Sequence, residues 1–131
     1  MSVNAWTPAT NHKPNLVDLK QFAQIGSDNA SLKDIASHLS ESDIANKTFY
    51  MRSEQEAWND LLPQLNTDEL IALIRFFTLA ETQLAGWEAG ALSPVIWINK
   101  YLRSKNQTLD KELLLWIRNN STNRFIPNGP L

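Results

Sequence analysis

The sequence predicts an all-α fold, a compact bundle of about five or six helices with a non-helical C-terminal tail packed back on it. Only four glycines occur in 131 residues, fewer than strand-and-turn folds usually use. No segment alternates apolar and polar residues over the length of a strand, whereas several begin with a helix-capping residue and continue with apolar residues at helical spacing. A chain of this length suits one core, so residues 1–131 are expected to form a single helical domain.

Helix starts in the first half of the chain are predicted where a short polar residue precedes an acid by three positions. The predicted caps and acids are Asn15 with Asp18, Ser31 with Asp34, and Ser53 with Glu56. The third of these helices should carry Trp58 into the core and end near Pro63. We also expect a short helix within residues 42–51.

The helix over residues 67–85 is predicted to be the centre of the fold. Either Asn66 or Thr67 can cap it, and with Asn66 as the cap Glu69 completes a capping box. Residues 70–84 are apolar over far more than one stripe, so neighbouring segments should cover this helix on several sides.

Two more helices and a tail are predicted in the last third of the chain. One starts at Ser93-Pro94, with Ser as the cap and Pro at the first helical position, and runs to about Ser104. The other starts after Thr108 and ends around residues 119–120. Its predicted apolar stripe is Leu109, Leu113, Trp116 and Ile117. In the tail, we expect Phe125, Ile126 and Leu131 to fold back onto the helices.

Composition excludes several classes of chemistry. The chain has no cysteine, so disulfides, thiolate nucleophiles and iron–sulfur clusters are ruled out. It has two histidines far apart in sequence, too few for a typical catalytic zinc site, and we expect no metal and no cofactor. No apolar run is long enough to cross a bilayer and the N-terminus lacks the pattern of a signal peptide, so we expect no membrane partner and a cytoplasmic location.

The charge is unevenly distributed along the chain. Residues 1–93 carry six basic and twelve acidic side chains, whereas residues 94–131 carry six basic and two acidic ones. Such an asymmetry indicates either a nucleic-acid partner or complementary faces that meet within or between chains.

Arg75 is the most informative single residue, because it lies in the middle of the most apolar predicted helix, where no acid three or four positions away can pair with it. A structural ion pair with Glu88, Glu112 or the C-terminal carboxylate is one interpretation, and an anion-binding site is the other. Trp87 and Glu88 lie between Gly86 and Gly90, and this loop either lines a pocket beside the next helix or packs its Trp on the core.

Trp97 is predicted to lie at the edge of its helix rather than in the core, near Lys100, Tyr101 and Arg103. Partial burial beside ordinary helix-terminal cations is the simplest interpretation. Aromatic and basic residues together are also typical of protein interfaces and of sites for single-stranded nucleic acids.

Residues 31–42 resemble the first helix and turn of a helix-turn-helix unit. Ser40 stands where the turn usually has Gly, and Asn46 stands where an apolar recognition-helix residue belongs. Because several acids surround the segment, which opposes contact with phosphates, we expect it not to read DNA.

The stretch from Arg75 to Leu131 contains the segments Gly86-Trp87-Glu88-Ala89-Gly90, Ser93-Pro94-Val95-Ile96 and Asn123-Arg124-Phe125-Ile126-Pro127-Asn128-Gly129. In these segments it resembles a family of small helical bacterial proteins that is known only as uncharacterised. The resemblance covers somewhat under half the chain and implies no activity, cofactor or partner.

Three functions remain open on the sequence alone. No catalytic signature is present, so the leading prediction is a non-catalytic module that self-associates or binds another protein, with a contact patch around Trp87, Trp97 and Tyr101. The second is nucleic-acid binding through the basic residues Lys100, Arg103, Lys111, Arg118 and Arg124. The third is a small-ligand or anion site, or a small enzyme, at Arg75, Glu88 and the loop between Gly86 and Gly90.

Overall fold

The computed structural model describes residues 13–129, which form seven α-helices and, within that range, no strand. The α-helices are α1 (Leu16–Gly26), α2 (Asn29–Leu32), α3 (Glu41–Asn46), α4 (Glu56–Asn59), α5 (Thr67–Gln83), α6 (Pro94–Ser104) and α7 (Lys111–Asn120). Short 3₁₀ turns lie at Ile35–His38, Thr48–Met51, Leu62–Gln64 and Gly90–Leu92. The all-α prediction is confirmed, with α2, α3 and α4 each shorter than two turns. None of the helices between residues 13 and 129 combines the length and apolar content that crossing a bilayer requires.

Helix α5 is the hub, as its apolar pattern predicts. The capping box is present, because Asn66 Oδ1 accepts from the Glu69 amide at 2.8 Å and Glu69 Oε1 accepts from the Asn66 amide at 3.0 Å. Helix α1 packs more extensively on α5 than any other helix does. The two backbones are so close that a Cβ atom added to Gly26 would collide with the carbonyl oxygen of Ala72.

An aromatic cluster fills the core between α5 and the N-terminal half. Phe22 of α1 stacks on Phe76 of α5 with ring centroids 4.4 Å apart, and Trp87 meets both rings edge-on. Trp87 is completely buried, and its indole N–H donates to the Ile44 carbonyl at 2.9 Å. Trp58 is also completely buried, as predicted.

A polar network joins α1 to the turn at Thr48–Met51. The Tyr50 hydroxyl donates to one carboxylate oxygen of Asp18 at 2.8 Å, and Lys47 Nζ contacts the other at 2.7 Å. Burial raises the pKa of the Tyr50 phenol. Burial opposes the charge of Lys47, but the carboxylates of Asp18 and Asp43 outweigh that effect and raise the pKa of the ammonium.

Two predicted helix starts in the first half are wrong. Asp28, not Ser31, caps the second helix, because its carboxylate accepts from the Ala30 amide at 3.3 Å and from the Ser31 hydroxyl at 2.7 Å. This helix ends at Leu32, because the amide side chain of Gln83 takes over the next backbone groups. The Gln83 side chain donates from Nε2 to the Leu32 carbonyl at 2.7 Å, and its Oε1 accepts from the Ile35 amide at 2.9 Å.

The segment that resembles the start of a helix-turn-helix therefore forms no such unit. Residues 31–42 hold the end of α2, a 3₁₀ turn and the first residues of α3. Ser53 caps no helix either, because its hydroxyl donates backward to the Phe49 carbonyl at 2.8 Å. Helix α4 begins at Glu56 without a side-chain cap.

The C-terminal helices and tail form near their predicted positions, except that α7 begins at Lys111, so Leu109 of its predicted apolar stripe precedes the helix. The Ser93 hydroxyl caps α6 by accepting from the Val95 amide at 3.2 Å. Asp110 caps α7 by accepting from the Leu113 amide at 2.8 Å. The tail folds back with Ile126 buried, and Asn99 of α6 donates to the Pro127 carbonyl at 3.0 Å. Leu131, the third tail residue predicted to pack inward, lies outside the described residues.

Candidate functional site

One face of α7 points away from the core and carries both apolar and basic residues. It consists of Lys111, Leu114, Leu115 and Arg118. These positions follow the i, i+3, i+4, i+7 spacing that places side chains on one face of a helix, and all four are exposed. The opposite face buries Leu113 and Ile117. Helix α7 therefore presents a second apolar stripe, which the rest of the described chain leaves exposed.

The exposure of this second stripe is unusual within the described part of the chain. Leu114 is 39% exposed and Leu115 is 51% exposed. The other large apolar side chains with comparable exposure between residues 13 and 129 are Val17 and Leu92, which lie apart from each other in sequence. Scattered exposed apolar residues are normal in proteins, but adjacent ones on one helix face indicate a contact surface.

The C-terminal tail forms the second wall of a groove beside this face, which we call the α7–tail groove. The groove has a volume of about 530 Å³. Its lining comes from α7 and from tail residues 121–124 and 126–128. The apolar members are Leu114, Leu115, Ile117, Ile126 and Pro127. A groove of this form can receive an extended or helical segment along α7.

Hydrogen bonds hold the tail wall in place. The side-chain amide of Asn123 donates to the carboxylate of Glu81 on α5 at 3.0 Å and to the Gly90 carbonyl at 3.0 Å. Its Oδ1 accepts from the Phe125 amide at 2.9 Å. Two of these bonds join the tail to α5 and to the loop at Gly90, and the third lies within the tail. Because they fix the tail against the helices, the groove is a fixed feature of the fold.

The charged residues that line the α7–tail groove are all basic. Lys111 and Arg118 lie at the two ends of the α7 face, and Arg124 lies on the tail wall. None of the three forms an ion pair within residues 13–129, and no Asp or Glu is among the residues that line the groove. The groove thus combines three cations that have no carboxylate partner within residues 13–129 with an aliphatic surface, which favours an acidic amphipathic ligand.

Within residues 13–129, Arg75 contacts neutral side chains and not the carboxylates with which a structural ion pair was one interpretation. Its guanidinium donates to Asn29 Oδ1 at 3.1 Å and lies 5.5 Å from the centre of the Trp116 ring. It forms no ion pair with Glu88, with Glu112 or with any other carboxylate of residues 13–129. The C-terminal carboxylate, the third predicted partner, lies outside the described residues. Arg75 is partly buried and borders two clefts.

Of the two interpretations of the loop between Gly86 and Gly90, the structure supports the one in which its Trp packs on the core, and the placement of Trp87 in a contact patch is wrong. Trp87 is enclosed by the core and its N–H is already paired, so it cannot contribute to a surface patch or a ligand site. The carboxylate of Glu81 fastens the loop by accepting from the Ala89 amide at 2.8 Å. Glu88 is exposed, and neither it nor its loop lines the α7–tail groove or either cleft beside Arg75.

The predicted aromatic and basic residues of α6 lie around a different, smaller cleft. Trp97, Lys100 and Tyr101 line it, and its volume is about 160 Å³. Lys100 Nζ lies 5.3 Å from the centre of the Trp97 ring, and Lys105 Nζ lies 5.8 Å from that of Tyr101. Because Trp97 and Tyr101 are partly buried and share a cleft of only about 160 Å³, they are poor platforms for stacking successive bases.

The structure thus separates the residues predicted to form one interface. Arg118 and Arg124 meet at the α7–tail groove, together with Lys111. Trp97, Lys100 and Tyr101 meet elsewhere, and Arg103 is exposed but lines neither cavity. Leu114 and Leu115 were not predicted as site residues. Both lie outside the predicted apolar stripe of α7, and apolar residues outside the buried stripe of a helix could have indicated an exposed apolar surface.

Comparison with models of known protein families, with curated proteins and with solved structures gives no match for this chain. Within residues 13–129, no three His, Cys, Asp or Glu side chains are grouped so that they could hold a metal ion.

Proposed function

We propose that this protein is a non-catalytic, cytoplasmic interaction module whose α7–tail groove binds an acidic amphipathic helix of a partner protein. The observation that carries the proposal is the exposed pair Leu114 and Leu115, placed between Lys111 and Arg118 on the outward face of α7. An apolar centre flanked by charge is the general pattern of protein interfaces.

The spacing on α7 defines the ligand that fits. Positions i, i+3, i+4 and i+7 span two helical turns, about 10 Å along the axis. A partner helix with two apolar anchors at similar spacing covers the leucines, and acidic residues on either side of its anchors reach Lys111, Arg118 and Arg124. Such an interface is small, so we expect binding in the micromolar range and rapid exchange.

Charge argues against a symmetric dimer through this groove. A two-fold interface would bring the same surface of two copies together and place the unpaired cations of both in one contact. Like charges in close contact across an interface cost free energy, so the groove favours a ligand of opposite charge. A distinct acidic segment is therefore the preferred occupant rather than a second copy.

Nucleic acid is the second candidate, because Arg118, Arg124 and Lys111 could contact phosphates. The lining of the groove, however, contains no aromatic residue on which bases could stack. A nucleic acid would also leave the Leu114 and Leu115 side chains without an apolar partner. Both features favour a protein ligand.

The test is a titration with a designed peptide of about 14 residues whose helix carries Leu anchors on one face and Glu residues on either side of those anchors. Three further ligands of equal length separate the possible outcomes: the same residues in scrambled order, a peptide with Lys in place of Glu, and an oligothymidylate. The proposal expects binding of the acidic amphipathic peptide to be the tightest of the four, and to weaken as salt is raised.

Matched variants locate the binding. Leu115→Ser should lower the affinity for the acidic peptide by about tenfold. Val17→Ser, on the exposed side of α1, should leave that affinity unchanged. Arg118→Gln should weaken it several-fold, and Arg103→Gln should not. Tighter binding of the oligothymidylate than of the acidic peptide, or equal binding of the ordered and scrambled peptides, would contradict the proposal.

A further inference from the structure

Arg75 carries an unusual amount of unused hydrogen-bonding capacity for a residue in the middle of a core helix. Its neighbours in sequence, Ile74 and Phe76, are completely buried. A guanidinium has five N–H donors, and the one hydrogen bond formed by Arg75 within residues 13–129 goes to the neutral Oδ1 of Asn29. The cation is therefore held in place without being neutralised by a carboxylate of the described chain.

The larger of the two clefts beside Arg75 is suited to an anion. It has a volume of about 600 Å³ and is lined by two cations, Arg75 and Lys33, with no Asp or Glu among its lining residues. Lys33 forms no ion pair within residues 13–129 and is exposed at the rim. The amides of Asn29 and Asn120 add polar groups, while Leu79 and Trp116 supply apolar surface.

The cleft on the other side of Arg75 provides an internal contrast. It has a volume of about 260 Å³, and its lining includes the carboxylates of Asp110 and Glu112. An anion there would face two negative charges, whereas an anion in the larger cleft would face none. The preference for an anion therefore belongs to the cleft on the Lys33 side.

The groups that would contact the ligand are preorganised. Asn29 holds one edge of the Arg75 guanidinium, and the Trp116 ring lies against it at 5.5 Å from its centre. The Asn120 side chain is fixed by donating to the Trp116 carbonyl at 2.8 Å. Gln83 is committed to the backbone at Leu32 and Ile35 and acts as part of the wall.

We infer that this cleft binds a small organic anion, a phosphate or carboxylate joined to an apolar or aromatic group. The anionic oxygens lie at Arg75 and Lys33, and the apolar group packs on Trp116 and Leu79. None of the lining residues of this cleft lines the α7–tail groove, so the inference does not depend on the proposed protein partner.

The experiment is a calorimetric and NMR titration of the full chain with phenyl phosphate, benzoate, inorganic phosphate and benzyl alcohol at constant ionic strength. The expected result is saturable binding of phenyl phosphate or benzoate, with a dissociation constant at or below about 1 mM. Inorganic phosphate should bind at least about fivefold more weakly because it lacks the apolar group, and benzyl alcohol should not bind. The stronger of the two aromatic anions identifies the preferred head group.

Variants distinguish the cleft from adventitious binding. Arg75→Gln should lower the affinity for the aromatic anion by about tenfold or more. Lys33→Gln, at an exposed residue, should lower it by about threefold. Arg103→Gln, which removes an exposed cation outside the cleft, should leave affinity unchanged. Absence of saturation for both aromatic anions, or equal affinity in Lys33→Gln and Arg103→Gln, would overturn the inference. Binding of the acidic peptide, measured in the same samples, reports on the proposed function separately.

Discussion

The hydroxyl of Tyr50 donates a 2.8 Å hydrogen bond to the carboxylate of Asp18, while its oxygen accepts from the backbone N–H of Asn15 at 3.1 Å. This contact joins the start of α1 to a turn more than thirty residues later in the sequence. Because the Tyr50 side chain is completely buried, its hydroxyl exchanges no hydrogen bond with bulk water. The network should therefore be visible in the response of stability to alkaline pH.

Replacing Tyr50 by Phe is expected to lower the free energy of unfolding by about 1–2 kcal/mol near neutral pH, because Asp18 loses a buried donor. In the parent protein the raised pKa of Tyr50 means that only the unfolded state ionises this phenol as the pH passes 10, its ordinary value. Stability is therefore fully present below that pH and declines above it by up to about 1.4 kcal/mol per pH unit.

Urea unfolding near pH 7 and near pH 11 measures the effect. Tyr50→Phe should show a shallower alkaline decline than the parent. The variant keeps the part of the alkaline decline that is due to Lys47. The pKa of that ammonium is also raised by folding, so the stability that it contributes is also lost at high pH. Equal alkaline slopes in the two proteins would show that the hydroxyl has no such role.

Replacing Gly26 by Ala is expected to be strongly destabilising, by about 2–4 kcal/mol, although Ala is normally the better helix former. The added methyl group would meet the Ala72 carbonyl of α5, and neither backbone can move without separating α1 from the hub helix. Thermal unfolding measures the loss. The control is Gly90→Ala, whose Cβ meets no atom within 4 Å, so any cost there comes from its positive φ alone.

Replacing Asn123 by Asp is expected to lower the free energy of unfolding by about 2–3 kcal/mol at neutral pH. The change removes the donor that Glu81 and the Gly90 carbonyl share and places a second carboxylate beside Glu81. Asn119→Asp makes the same charge change at an exposed position and should cost less than about 1 kcal/mol. Because the tail wall depends on Asn123, this variant should also weaken binding of the acidic peptide.

Replacing Asp28 by Asn is expected to reduce the loss of stability in acid. Hydrogen bonds from the Ser31 hydroxyl and the Ala30 amide lower the pKa of the Asp28 carboxyl. The stability that this group contributes is therefore present above its ordinary pKa of 3.8 and is lost as the pH falls through its lower folded value. Asn retains the capping geometry without the titration, so unfolding curves near pH 3 and near pH 6 should differ less for the variant.

The parts of the fold that follow from local sequence could be predicted closely. The Asn66–Glu69 capping box and the Ser93-Pro94 start of α6 depend on residues within one turn of each other, and both form as predicted. The Ser31 start failed because Gln83, fifty residues away, competes for the backbone at Leu32 and Ile35. A tertiary contact of that kind leaves no local pattern.

The candidate site could be predicted only in part, for the same reason. Arg118 and Arg124 were among the predicted basic residues, but their meeting at one groove depends on the return of the tail through Asn99 and Asn123. Trp87 was given both a place on the core and a place in the contact patch, because an aromatic residue between two glycines has the same local sequence whether it points into the core or toward solvent. Its burial depends on α1 and α5, which pack around it.

The most direct test of the central claim is an NMR map of backbone amides during titration with the acidic amphipathic peptide. The account predicts that the largest shift changes fall within residues 111–128, on both walls of the α7–tail groove, and that Leu115→Ser strongly reduces them at the same peptide concentration. Changes concentrated around Trp97 and Tyr101 instead, or unaffected by that substitution, would contradict it.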